Sequence, residues 1–298
     1  MSADRIVMCG VTEAGWHLVR DLIRRGVRFS HFVSLSPRQA ERHKVAGYRD
    51  FSGLAAEHGI PLYVPETYSL KSERDQAFFR EHRFDLLVQG VWQRLFPREV
   101  LETLRVGAVG VHGSADWLPK GRGRSPLNWS LIEGRSRFIM QLFLIRPGVD
   151  DGPVFDAEQF DITPFDTIRT LYHKNTIVTR QMLLRSIPRL LEGSITAREQ
   201  RGSPSHYPRR TAEDGRIDWE EMDVWQVYNF VRAQTRPFPG AFGDLRGTPC
   251  RIWRARVFDT RITYPDAEYG EVVEEFDGEL VVNCRGGLLL VDEYEVMG

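Results

Sequence analysis

The sequence predicts an α/β fold, a mainly parallel sheet flanked by helices, followed by a smaller β-rich domain. Three observations predict it. Through the first two thirds of the chain, short apolar runs alternate with segments of helical period, the pattern of βα units. The last third exchanges that rhythm for short strand-like runs separated by turn signals such as Asp277-Gly278 and Gly286-Gly287. The length of 298 residues is more than one compact unit usually takes, so residues 1–200 are expected as the first domain, 201–210 as a linker and 211–298 as the second domain.

Arg5-Ile6-Val7-Met8-Cys9 reads as a first buried strand, residues 10–12 as a turn holding Thr12, and residues 14–25 as an amphipathic helix stopped by Gly26. That turn lacks the glycine spacing that brings pyrophosphate against a backbone, so the reading is a Rossmann-like sheet rather than a dinucleotide site. Residues 29–35 supply a second strand. The polar segment 36–48, with Arg38, Arg42, His43 and Lys44, reads as a solvated helix face. Residues 51–58 and 72–83 are helical and 61–64 and 85–88 extended, continuing the alternation. Gln89, Gly90, Val91, Trp92 and Gln93 leave the last of these strands and should line the crevice at its carboxyl end, where open α/β sheets bind ligands.

The stretch 106–152 is the centre of the chain. Gly107-Ala108-Val109-Gly110-Val111 reads as a short buried strand, with His112 placed where strand should give way to loop. Ser114 shapes that loop. Lys120-Gly121-Arg122-Gly123-Arg124 is a basic, tightly turned segment ahead of a helix over 127–132, suited to an anionic group. Residues 154–162 then read as extended and 166–192 as a long amphipathic helix closed by Gly193.

These motifs carry a specific resemblance. Val111-His112-Gly113-Ser114, Leu118-Pro119-Lys120, the segment from Arg122 to Trp129, and Gly148-Val149-Asp150-Asp151-Gly152 resemble the signature of the folate-dependent formyltransferases. So do Gly59-Ile60-Pro61, Tyr172-His173-Lys174, Arg209-Arg210-Thr211 and Arg236-Pro237-Phe238-Pro239-Gly240. Within that family the pattern is most like the enzymes that formylate nucleotide-linked amino-sugars, with methionyl-tRNA formyltransferase a more distant relative. The resemblance implies 10-formyltetrahydrofolate as formyl donor, held by Gln89, Gly90, Val91, Trp92, Arg94 and Asp150. It also implies an acceptor contacted by Thr12, Ser114, Lys120, Arg122, Gly123 and Arg124, and a second domain of the OB type.

Formyl transfer to an amine needs a deprotonated amine, a stabilised oxyanion and a proton route to the leaving nitrogen. His112 can take or share a proton near neutral pH, and Asp150 can orient its imidazole. The third catalytic position departs from the family, because the amide-donating Asn two residues before the His is Gly110 here. Loss of one oxyanion donor typically costs ~2.7–4 kcal/mol of transition-state stabilisation. Gln89 could substitute, Gly110 could make room for a different substrate, or the chain could be an impaired or repurposed relative that binds folate or nucleotide or transfers another acyl-type group. Further departures lie nearby, at Ala115-Asp116-Trp117 and Phe138-Ile139.

Composition narrows the partners. A net charge of -1 argues against nucleic acid or an anionic membrane as main partner. The second domain sharpens this: from His206 onward there are eleven Arg, no Lys and eighteen Asp plus Glu, whereas phosphate neutralisation needs the reverse. A small nucleotide-sugar is therefore the expected acceptor rather than tRNA. Cys9, Cys250 and Cys284 are widely spaced, which predicts reduced thiols, no metal site and a cytoplasmic protein. No signal pattern or apolar run near ~18 residues predicts a membrane span. A homodimer is compatible with this reading.

Overall fold

The computed structural model of the chain describes residues 4–298. The first domain runs β1 (Ile6–Gly10), α1 (Glu13–Arg24), β2 (His31–Val33), α2 (Pro37–Arg42), α3 (Ser52–Glu57), β3 (Leu62–Tyr63), α4 (Glu73–His82), β4 (Leu86–Gly90) and α5 (Arg98–Leu101). It continues through β5 (Gly107–Ser114), β6 (Arg122–Gly123), α6 (Pro126–Ile132), β7 (Arg137–Leu144), β8 (Val154–Asp161) and α7 (Ile168–Leu191). Then follow β9 (His206–Tyr207), a short 3-10 turn (Glu213–Gly215), α8 (Val224–Gln234), β10 (Ala241–Leu245), β11 (Thr248–Asp259), β12 (Val272–Phe276), β13 (Glu279–Cys284) and β14 (Gly287–Val296).

The main sheet has seven strands in the order β3-β2-β1-β4-β5-β7-β8. Pairs from β3 to β5 are parallel and those of β7 with β5 and β8 antiparallel. Side-chain alternation explains why the central strands are apolar throughout. Met8, Val88 and Val109 pack on one face with Leu18 and Leu22 of α1 and Met182 and Leu183 of α7. Val7, Leu87 and Ala108 pack on the other with Phe79, Phe84 and Val100. Ser36 caps α2 in a reciprocal capping box with Gln39, so the polar segment is a short helix with Arg42 in its last turn.

Two sequence expectations change here. Strand β5 does not stop at Val111 but continues to Ser114, because β7 pairs alongside it and extends its ladder. His112 therefore sits inside a strand, opposite Gln141, not in a loop. Residues 218–232 also read as one helix from the sequence, but the helix begins later, at Val224, where Asp223 caps it in a box with Gln226.

The second domain is an antiparallel sheet of order β10-β11-β14-β13-β12. Helix α8 packs Val227, Phe230 and Val231 onto its apolar face. Among the described residues no ladder joins the edge strands β10 and β12, so hydrogen bonding leaves this sheet open. The domains meet through apolar packing, Ala233 in the first core and Ile132 against the second, and through polar contacts. Buried Arg232 donates from Nη1 to the carbonyls of Thr163 (2.7 Å) and Asp166 (2.8 Å), and Asn128 Nδ2 donates to Ala233 O (2.7 Å). Residues 206–207 pair in parallel with 122–123, so the segment between the domains is tied to the basic loop.

Candidate active site

A cavity of about 560 Å³ opens at the carboxyl ends of β4 and β5, in the crevice where α/β sheets bind their ligands. Gln89, Val91, Trp92 and Gln93 form one wall and Val111, His112 and Gly113 another. Helices α1, α6 and α7 close it with Leu18, Leu127, Asn175 and Thr179, Arg124 enters from the loop before α6, and Phe138 and Met140 make an apolar back.

His112 is 8% exposed and fixed on both sides. Its Nε2 lies 2.8 Å from Gly121 O. A carbonyl only accepts, so Nε2 carries the hydrogen and Nδ1 is the nitrogen left to take up a proton. Nδ1 faces Asp150, whose Oδ2 is 3.4 Å away. The structure thus brings together the two residues that the sequence reading placed in proton handling. Asp150 sits on the turn between β7 and β8 with φ at +49°, a conformation unusual for a residue with a Cβ.

Gly110 is not an open space. A Cβ there would lie 2.5 Å from Phe143 Cζ and 2.9 Å from Ile145 Cγ1. Phe143 is the cross-strand partner of Gly110, and its ring fills the volume a side chain would take. The expectation that this glycine makes room for substrate is therefore corrected: Phe143 and Ile145 already use the room. Gln89 is also engaged, its Nε2 donating to Trp92 O at 3.1 Å and so bracing the turn that contains Val91 at φ +60°. Gly113 faces similar crowding, since an added Cβ would meet Phe138 Cε1 at 2.2 Å and Met140 Sδ at 2.5 Å.

The remaining sequence candidates divide by position. Arg124 lines the cavity, and Asp116 and Glu133, the carboxylates within its sequence neighbourhood, are taken by Arg135 at 2.9 and 3.1 Å. Among the described residues Arg124 has no carboxylate partner. Arg122 instead gives Nη2 to Gln200 Oε1 at 2.6 Å, and Gly123 pairs with Tyr207. Lys120 is exposed, and Ser114 is buried with Oγ accepting from Asp116 N. Thr12 caps α1 by accepting from Gly15 N. Arg94 lies over the Tyr68 ring, 4.6 Å from its centroid. Burial pushes the Tyr68 phenol above its ordinary range, partly offset by the Gln93 N–H and Arg94.

Sequence reasoning missed three features. Gln141 stands opposite His112, buried, with Oε1 accepting from Leu118 N and Nε2 unpartnered. Thr179, on the cavity wall, has its Oγ1 buried without a partner. Gln200 bonds Arg122 to the Asp150 turn. No sequence signal marks the first two, whereas Gln200 lies just before the linker, close to the other motifs only after folding. No group of three or more His, Cys, Asp or Glu among the described residues could hold a metal.

A crevice at the carboxyl ends of the strands, buried His112 on its wall with Asp150 beside it, and a following antiparallel domain define a two-domain α/β protein with a His–Asp pair at its ligand crevice. Comparison with known proteins specifies the family. The family model described as "Formyl transferase" matches residues 33–187 and that described as "Formyl transferase, C-terminal domain" matches 209–298; the chain belongs to the formyl transferase family. It is 26% identical to a methionyl-tRNA formyltransferase of Thermodesulfovibrio yellowstonii, over 96% of this chain and 89% of that protein. Among solved structures it resembles the N-formyltransferase of Helicobacter canadensis in complex with folinic acid and dTDP-3-aminofucose, with TM-score 0.68 and 14% identity over 97% of this chain and 99% of that one. HypX from Aquifex aeolicus in complex with tetrahydrofolic acid gives TM-score 0.61 and 17% identity over 99% of this chain. This chain spans 44% of HypX. At these identities the two structures speak for the fold. No helix among the described residues is long and apolar enough to cross a membrane.

Proposed function

We propose that this chain transfers a formyl group from 10-formyltetrahydrofolate to the amino group of a nucleotide-linked amino-sugar in the cytoplasm. The observation that carries the reading is His112 on the cavity wall with Asp150 Oδ2 3.4 Å from Nδ1, in a chain of the formyl transferase family. The cavity suits a flat heteroaromatic ring because its back, formed by Phe138 and Met140, is apolar. Gln89, Gly90, Val91, Trp92, Arg94 and Asp150 are the residues assigned to hold it. When bound, the folate would supply a formyl group, a carbon at the formate oxidation level, so that its transfer to an amine involves no redox change.

The chain's own part is proton handling and orientation. With Nε2–H donated to Gly121 O, His112 accepts a proton at Nδ1, and Asp150 stabilises the imidazolium that results. Arg124, lacking a carboxylate partner, is assigned to the phosphates of the acceptor, with Ser114, Lys120, Arg122, Gly123 and Thr12 shaping that side. The acidic second domain supports a small acceptor over tRNA.

Phe143 over Gly110 favours a second reading, a family member that binds folate or nucleotide with impaired transfer, or moves a different acyl-type group. Calorimetry with 5-formyltetrahydrofolate, with and without nucleoside diphosphates and their sugar conjugates, tests both. Folate binding strengthened by one nucleotide, followed by turnover with a formyl donor, supports the first. Binding without turnover supports the second, and nucleotide binding without folate binding overturns the donor. Formylation of methionyl-tRNA would overturn the acceptor.

A further inference from the structure

After α7 the chain returns past the site. Arg198 and Val154 exchange backbone hydrogen bonds of 2.7 and 2.8 Å, and Arg146 Nη1 holds Glu199 Oε2 at 2.9 Å. This sets Gln200 against the turn that carries Asp150. Gln200 Nε2 donates to Asp150 O at 2.7 Å and Gly152 O at 2.8 Å, while Oε1 accepts from Arg122 Nη2 at 2.6 Å. Asp150 at φ +49° is a conformation that persists only where its surroundings hold it. Five residues on, Ser205 Oγ accepts from Gly121 N at 2.9 Å and Ser205 N donates to Pro119 O at 3.2 Å. Gly121 O is the acceptor for His112 Nε2. One segment thus grips the partners on both sides of the His112 ring.

We infer that Gln200 is a positioning residue for the His112–Asp150 pair, acting through the main-chain carbonyls of Asp150 and Gly152. The inference rests on the reading of that pair as the proton-handling centre. A plain structural staple would add stability and leave the imidazole indifferent to its loss. A positioning residue aims the Asp150 carboxylate, so its removal changes what Nδ1 faces. Gln200→Met removes all three hydrogen bonds at similar length, and Gln200→Glu keeps an acceptor for Arg122 but turns a carboxylate toward two carbonyls.

The test is ¹⁵N NMR of the whole chain labelled at histidine, with the His112 ring assigned by its disappearance in His112→Asn. Both Gln200 variants are expected to move the Nδ1 resonance in the direction produced by Asp150→Asn. In turnover, kcat is expected to fall by up to about 10²-fold, as for a misplaced catalytic group, with KM little changed. If Gln200→Met does not fold, Gln200→Glu alone decides. Folded variants with an unmoved Nδ1 resonance overturn the inference, and normal turnover in them would leave the formyl-transfer reading standing. A moved resonance in a chain whose wild type transfers no formyl group upholds Gln200 and overturns the function.

Discussion

The two sides of the candidate site are built by different means. His112 stands on β5, held by ladder pairs to β7 that run without interruption from Val109 to Ser114. Asp150 stands on a turn at positive φ, held by the side chain of Gln200 from a segment fifty residues away. A ladder fixes a residue through many main-chain bonds, and no single substitution undoes it. The turn depends on a few side-chain bonds, and one substitution can release it. The difference teaches that the proton acceptor is rigid by architecture, whereas its orienting carboxylate is rigid by attachment.

The largest test of this contrast removes the rigid partner itself. His112→Asn is expected to lower formyl transfer by ~10²–10⁴-fold, the range for losing a general acid–base group, with melting temperature nearly unchanged because the ladder remains. Assay of turnover beside thermal unfolding checks it, and a sharp fall in both would mean the imidazole is mainly structural. The next test challenges the ladder. Gly110→Asn must displace Phe143 and is expected to cost up to about 3 kcal/mol of stability, most of it recovered in Gly110→Asn with Phe143→Ala. Denaturant unfolding of the single and double variants measures the recovery, and additive losses would show that Phe143 is not what the new side chain meets.

Gly113→Ala sets a Cβ against Phe138 and Met140 at the back of the cavity and should cost about 1–3 kcal/mol. Because those side chains line the cavity, folate affinity by calorimetry should weaken along with stability. The smallest effect concerns another turn held by attachment. Asp166 Oδ2 accepts from Thr163 N and pairs with Lys174 Nζ at 2.5 Å. Burial raises its pKa, but the bonds from Lys174, Thr163 and Thr170 outweigh this and leave it depressed. A depressed carboxyl contributes stability above its unfolded pKa and loses it as pH falls through the folded value. Asp166→Asn is therefore expected to cost about 1–2 kcal/mol at pH 7, a loss that shrinks below about pH 4. A pH-independent difference in unfolding free energy would show that the charge contributes nothing.

The same contrast governs how much was legible in the sequence. Strands β1, β4 and β5 are visible as apolar runs because both faces are buried, and His112 and Asp150 are visible because their motifs are local. Strand β7 is not legible in the sequence, since Phe138 to Leu144 is apolar but for Gln141 and carries no period. Without it the overrun of β5 and the closure over Gly110 cannot be anticipated, as Phe143 reaches that glycine only across a ladder. Gln200 borders a stretch rich in Gly, Ser and Pro that reads as solvated connection, although it reaches Asp150, Gly152 and Arg122. Long-range bonds between a side chain and a backbone leave no mark on composition or spacing.

The acidity of the second domain has a further consequence. From His206 onward the chain carries a net -7, so with -1 overall the preceding residues carry +6. The molecule is electrically polarised along its sequence, and a diffusing phosphate ester is drawn by one part and repelled by the other before any contact forms. The field sorts approaching anions by direction, and added salt erases that guidance beyond a screening length of about 8–10 Å.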